Sequence, residues 1–212
     1  MNSVERKAHW EKIYQNKALH EVSWYQAHPV TSLEFIREFN LAKNARIIDV
    51  GGGDSLLVDH LLELGYTNLT VLDISESAIE RAKIRLGEKA ERIKWIVHDA
   101  AVFRPDDPYD LWHDRAAFHF LQQEDDIEAY LKNIQAGLAK DGKLVIGTFS
   151  EDGPNSCSGV PVRQYSENSM GSLLGRFFKK LKCIHTEHKT PFNTIQNFIF
   201  CSFSGLKPAL RA

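Results

Sequence analysis

The stretch Arg46-Ile47-Ile48-Asp49-Val50-Gly51-Gly52-Gly53-Asp54-Ser55 joins an apolar run, an acid and three consecutive glycines directly ahead of a leucine-rich segment. Glycines at the entrance of a helix let a ligand approach backbone N–H groups that have no partner within the helix. A strand, a glycine turn and a helix start in this order make a site for a nucleotide-like ligand. Two further acids, Asp73 and Asp99, close later apolar runs, Leu69–Leu72 and Ile93–Val97.

That loop needs a strand before it and a helix behind it. Residues 46–50 read as a buried strand. Leu57, Leu61, Leu62 and Leu64 form the stripe of a helix running from Asp54, with Gly65 as its stop. A strand over 69–74 and a helix capped by Ser75 follow, then strands at 93–97 and 109–113 and a helix at 124–139. Lys140-Asp141-Gly142 reads as the turn into a strand at 143–149. Strand-like runs at 181–188 and 195–203 flank Thr190–Thr194, short enough for a hairpin. The pattern predicts an α/β fold: a doubly wound, mostly parallel seven-stranded sheet finished by a C-terminal antiparallel hairpin. A single domain is expected over 1–203. Residues 1–40 form an N-terminal flap, 41–149 a cofactor-binding core, 150–203 an acceptor-side loop and the hairpin, and 204–212 a frayed tail.

The 212 residues are 43% hydrophobic and 25% charged, a globular composition, with a net charge of −2. That charge gives no general basic field, so no nucleic-acid partner is expected. Cys157, Cys183 and Cys201 lack metal-ligand spacing and read as free thiols in a reducing compartment, with no metal site. The polar N-terminus and the lack of a long apolar run predict a cytoplasmic protein without a membrane span.

The dinucleotide fingerprint G-x-G-x-x-G, set on Gly51 and Gly53, would put its third glycine at Leu56, which weakens that reading; the phosphate loop G-x-x-x-x-G-K-[ST] is absent. Asp49-x-Gly51-x-Gly53 instead resembles motif I of the class I S-adenosylmethionine-dependent methyltransferases. The resemblance extends over most of residues 10–203 and implies the Rossmann-like methyltransferase fold. It also implies S-adenosyl-L-methionine as cofactor and S-adenosyl-L-homocysteine as product. Asp73, followed by Ile74, falls where the family holds both ribose hydroxyls. Asp99 and Ala100 fall where it holds the adenine amine. Asp49 either meets the ligand or fixes the loop. A carboxylate can accept twice from a diol, each charge-assisted bond contributing about 1.5–3 kcal/mol.

Trp10-Glu11-Lys12-Ile13-Tyr14 and Val22-Ser23-Trp24-Tyr25 resemble the N-terminal segment of small methyltransferases related to the citrate synthase and elongation factor 1A lysine methyltransferases. There the aromatic segment closes over the methionine end of the cofactor. The resemblance puts Trp10, Tyr14 and Trp24 around the sulfonium, where cation–π attraction contributes about 0.5–2 kcal/mol; core packing is the other reading of the same rings. Asp114 and Arg115 match that group's acid–lysine pair in charge, and join the cofactor set. His119 stands where the group has an acid.

The expected reaction is in-line transfer of the methyl group to a nucleophile, with positioning supplying about 7–11 kcal/mol. His119 is the candidate general base, since an imidazole titrates near neutrality. His113, Arg163 and Tyr165 are the candidate substrate-pocket residues. The acceptor is a small molecule or, alternatively, a protein lysine. A module that binds the cofactor without turnover is the remaining reading. The residues do not fix the oligomeric state.

Overall fold

The computed structural model describes residues 1–206, so residues 207–212 of the expected tail lie outside the described residues. Helices α1 (Ser3–Asn16) and α2 (Val30–Glu38) precede strand β1 (Arg46–Val50). Then come α3 (Leu57–Glu63), β2 (Asn68–Asp73), α4 (Glu76–Leu86), β3 (Ile93–Val97), β4 (Tyr109–Arg115), α5 (Glu124–Gly137) and β5 (Leu138–Phe149). A small hairpin of β6 (Ser156–Cys157) and β7 (Val160–Pro161) leads to α6 (Glu167–Leu174), and β8 (Phe178–Lys189) and β9 (Ile195–Leu206) close the fold.

Seven strands form one sheet in the order β3-β2-β1-β4-β5-β9-β8. The pairs from β3 to β5 are parallel, and β9 and β8 join antiparallel. This is the doubly wound sheet with a terminal hairpin that the alternation predicts. Side chains alternate across it because a strand repeats every two residues. Ile47, Leu111, Val145 and Phe200 pack with α2 and α3 on one face. Ile48, Trp112, Leu144 and Cys201 pack with α5 and α6 on the other. Strand order reverses between β1 and β4, and in such sheets a crevice for ligands opens past the carboxyl ends at that point.

Three boundaries differ from the sequence reading. The helix expected from Asp54 begins at Leu57, because Gly51 (φ +68°) and Gly53 (φ +38°) keep the chain turning before it. Lys140-Asp141-Gly142 lies inside β5, which starts where Leu138 pairs with Tyr109. Residues 204–206, expected in the tail, continue β9.

The cysteines need a larger correction. Cys183 and Cys201 lie directly opposite in the β8–β9 register and form a disulfide, leaving Cys157 as the free thiol among the described residues. With two of the three cysteines bonded, the cysteines do not point to a reducing compartment. The 150–165 loop, expected on the acceptor side, is held to the sheet. Ser150 N–H donates to the Asn197 carbonyl (3.0 Å), Arg163 N–H to that of His119 (2.8 Å) and Tyr165 N–H to that of Phe149 (3.0 Å). No helix among the described residues is long and apolar enough to cross a membrane.

The disulfide closes a sequence separation of 18 residues. By loop-closure entropy, Cys201→Ser is expected to lower stability by about 3 kcal/mol, read as a shift of the urea midpoint. An unchanged midpoint, or two free thiols by non-reducing mass spectrometry, would contradict the pairing.

Candidate functional site

A cavity follows the carboxyl ends of the strands. It runs from Asp73 and Asp99 past Gly51 and Arg115 to Phe149 and Phe198, with α1 contributing Arg6, Trp10 and Tyr14. A second hollow continues it beside the glycine loop, over Asp49, Gly52 and Ser55.

The glycine loop is fixed from below. Gly51 N–H donates to the Leu72 carbonyl at 2.7 Å. A Cβ on Gly53 would sit 2.5 Å from Asp73 Oδ2, and one on Gly52 2.6 Å from Asp49 Oδ2. No side chain fits between this loop and the two acids. Behind the loop, Asp54 forms ion pairs with Arg81 (2.7 Å) and Arg85, both on α4.

The acids at the strand ends are compensated unequally. Asp49 pairs with His113 Nδ1 at 2.7 Å, and the other imidazole nitrogen of His113 bonds Ser32 Oγ at 2.9 Å on α2. Asp114 accepts from the N–H groups of Ala117 (3.0 Å) and Phe118 (3.1 Å) and from the Tyr130 hydroxyl (2.6 Å). Burial still pushes Asp114 up to about 6. Asp73 has a bond from Ser75 N–H at 2.8 Å. Burial first, and then the nearby Asp49 charge, push its carboxyl up to about 7 against the Ser75 bond. Asp99 accepts from Ala101 N–H (2.9 Å) and takes two bonds from Arg6, at 2.8 and 3.1 Å.

Aromatic side chains of the N-terminal segment pack against one another at the cavity. Trp10 lies edge-to-face on Trp24 (5.8 Å) and on Phe120 (4.7 Å), and Tyr14 meets Trp24 at 6.2 Å. Trp10, Tyr14 and Trp24 all line the cavity, so the same rings pack together and face the ligand space. Helix α1 is held down largely by polar contacts. Glu11 accepts from the hydroxyls of Ser75 (2.8 Å) and Ser77, and Arg81 donates to the Tyr14 carbonyl (2.9 Å).

Of the cofactor set, Trp10, Tyr14, Trp24, Gly51, Asp73, Ile74, Asp99, Ala100 and Arg115 line the cavity, and Asp49 lines the adjoining hollow. Gly53 supports the loop beside Asp73. Asp114 does not reach the cavity; it fixes the turn that carries Arg115, Ala116 and Ala117.

The acceptor-side candidates are corrected. His113 lines the adjoining hollow at the glycine loop as the partner of Asp49, not the β5–β9 end of the cavity. Arg163 points outward to Glu124 (2.6 Å). Tyr165 stacks on Phe118 at 5.3 Å, away from the cavity. His119 is fully buried outside the cavity lining, and its Nδ1 accepts from Phe149 N–H at 3.2 Å. The proton of the neutral ring therefore sits on Nε2, which leaves no lone pair to receive another. Burial and the Arg115 charge push this imidazole down to about 3. His119 is a packing residue rather than a base. Of the residues at the β5–β9 end of the cavity, Phe149, Cys157 and Phe198 carried no motif. Arg6 was hidden in a polar helix with no periodic pattern to mark it.

The known proteins similar to this chain agree with its geometry. Residues 48–144 match a family model described as a methyltransferase domain. The eEF1A lysine and N-terminal methyltransferase of Mus musculus is 23% identical over 138 residues, 65% of this chain and 19% of that protein. Malonyl-[acyl-carrier protein] O-methyltransferase 1 of Ilyobacter polytropus is 29% identical over 139 residues, 65% of this chain and 48% of that protein. The chain thus matches about half or less of the length of these relatives. Among solved structures, the 1,6-didemethyltoxoflavin-N1-methyltransferase of Burkholderia thailandensis, with bound S-adenosylhomocysteine, has a TM-score of 0.70 at 18% identity. That match covers 98% of this chain and 92% of the other. The N-methyltransferase NodS of Bradyrhizobium japonicum, also with S-adenosylhomocysteine, gives 0.67 at 16% identity over 97% and 99%. In its sheet order, its strand-end acids and the match over residues 48–144, the chain is similar to S-adenosylmethionine-dependent methyltransferases.

Proposed function

We propose that the protein transfers a methyl group from S-adenosylmethionine to a small molecule. One observation carries this reading: a single cavity joins the acids suited to a nucleoside, at β2 and β3, to an apolar chamber at β5 and β9. Donor and acceptor can therefore lie end to end across the β1–β4 crossing. The site fits the cofactor on its own terms, because the loop leaves no room for any side chain and Asp73 holds bonding capacity the protein does not use.

In this reading Asp73 accepts from the two ribose hydroxyls. Asp99, oriented by Arg6, accepts from the adenine amine. Asp49 and the glycine loop face the methionine end, and Trp10, Tyr14 and Trp24 exclude water from it. The sulfonium supplies an activated methyl group with a neutral leaving group. The protein then has to align the acceptor, a task that contributes about 7–11 kcal/mol. A protein-lysine acceptor is the second reading, supported by the likeness to the eEF1A lysine and N-terminal methyltransferase. Nucleic acid is not part of the proposal, in keeping with the net charge of −2.

Calorimetric titration with S-adenosylhomocysteine is expected to show saturable binding in the micromolar range; no binding at high micromolar ligand would overturn the reading. Incubation of the protein and cell extract with methyl-labelled cofactor is expected to place label in the small-molecule fraction. Label in protein would favour the second reading.

Asp73 gives a pH prediction with two signs. Its carboxyl rises from near 3.9 unfolded to about 7 folded, so the ligand-free fold loses stability as pH climbs from about 4 to about 7. Asp73→Asn removes that loss and raises Tm at pH 8. Ribose hydroxyls need the ionised acid, so S-adenosylhomocysteine affinity falls as pH drops below about 7, and the Asn variant binds at least tenfold more weakly at pH 8. Unchanged affinity in the variant would remove the ribose assignment.

A further inference from the structure

The acceptor chamber holds one charge. Its walls, on the far side of the β1–β4 crossing from the nucleoside acids, are Trp24, Phe120, Phe149, Cys157 and Phe198, with Arg115 among them. The carboxylates that line the cavity, Asp73 and Asp99, both stand at the other end, on β2 and just past β3. Arg115 comes from the end of β4, and its guanidinium lies over the Phe198 ring at 5.1 Å. Its Nη1 donates to the Trp24 carbonyl at 3.0 Å. Its Nη2 is shielded from solvent and has no hydrogen-bond partner among the described residues. No salt bridge forms between Arg115 and a described acid, since the nearby Asp49 is taken by His113. Burial pushes this guanidinium down to about 10, which leaves it charged at neutral pH.

An unpaired guanidinium N–H in an apolar chamber is costly, and a ligand anion removes that cost with a charge-assisted bond. A cationic acceptor such as a lysine side chain would meet a like charge with no carboxylate beside it. No described carboxylate or imidazole lines this end as a base, so the nucleophile must react without being deprotonated there.

We propose, resting on the methyl-transfer reading above, that the acceptor is a small apolar molecule bearing a carboxylate, which Arg115 binds through Nη2 and which is itself the nucleophile. One carboxylate oxygen accepts from Arg115 while the other attacks the methyl carbon. The new C–O bond forms as the C–S bond breaks, and its electron pair returns to sulfur. A neutral ester and a neutral thioether result, and no proton moves. The ester can no longer form the ion pair, so the product is released more readily than the substrate is bound.

The carboxylate at Nη2 has two sources, the acceptor and the methionine end of the cofactor, and the test separates them. Wild-type protein saturated with S-adenosylhomocysteine is titrated with benzoate, benzylamine and toluene by tryptophan fluorescence. Benzoate is expected to bind saturably, and at least tenfold more tightly than either of the others. Arg115→Met should weaken benzoate at least tenfold, and by a larger factor than it weakens S-adenosylhomocysteine; the wild-type comparison stands even if that variant does not fold. Methyl-labelled product formed from a small-molecule extract should release its label as methanol in alkali. Equal binding of the three probes, no saturable binding of benzoate, or alkali-stable label overturns the proposal. A tenfold loss of S-adenosylhomocysteine in Arg115→Met, with benzoate unaffected, assigns Nη2 to the cofactor and overturns it too. Failure of the wild type to bind S-adenosylhomocysteine would remove the methyl-transfer reading beneath it.

Discussion

Buried carboxylates must be compensated, and the architecture around the site follows from how each of three is treated. Asp49 and His113 face each other across β1 and β4, with Ser32 completing the chain from α2. Asp114, one residue beyond His113, points to the opposite face, where Tyr130 of α5 and two backbone N–H groups hold it. These two networks tie the central strands to a helix on each face. Asp73 receives much less, and its carboxyl sits far above the ordinary range as a result. The fold leaves one acid undersupplied, and that acid faces the cavity. An incompletely satisfied buried polar group in a native protein calls for an explanation, and a ligand supplies one.

The cavity divides along the same line as the sheet. Polar groups gather on the β2–β3 side, where recognition of a nucleoside needs hydrogen bonds. The β5–β9 side is lined mainly by aromatic rings, with a single cation. Such a division suits a reaction between a large polar donor and a smaller acceptor, because the donor contributes much of the binding contact while the apolar end keeps water from the reacting atoms.

The β2–β3 half of the cavity was legible in the sequence because its residues terminate strands. The run Arg46–Gly53, and the acids at 73 and 99, follow directly from the position at which each apolar segment stops. The acceptor half was not legible. His113 faces the hollow beside Asp49 and not the β5–β9 end, a placement decided by the register between β1 and β4. Arg163 and Tyr165 come from a loop whose backbone is tied to β5, β9 and the His119 turn in ways no local pattern encodes. Phe149 and Phe198 looked like ordinary strand hydrophobics, and only their cross-strand pairing brings both to the cavity wall. The disulfide escaped for the same reason, since Cys183 and Cys201 meet only once the hairpin register is known.

Helix α1 buries one residue, Arg6, and that residue is charged. Its anchoring comes from Arg6 to Asp99 and Asp126, from Glu11 to the start of α4, and from Arg81 to the carbonyls of Tyr14 and Lys17. These charged fastenings, more than an apolar stripe, hold Trp10 and Tyr14 against Trp24 and Phe120, and dissolved ions weaken the exposed part of them.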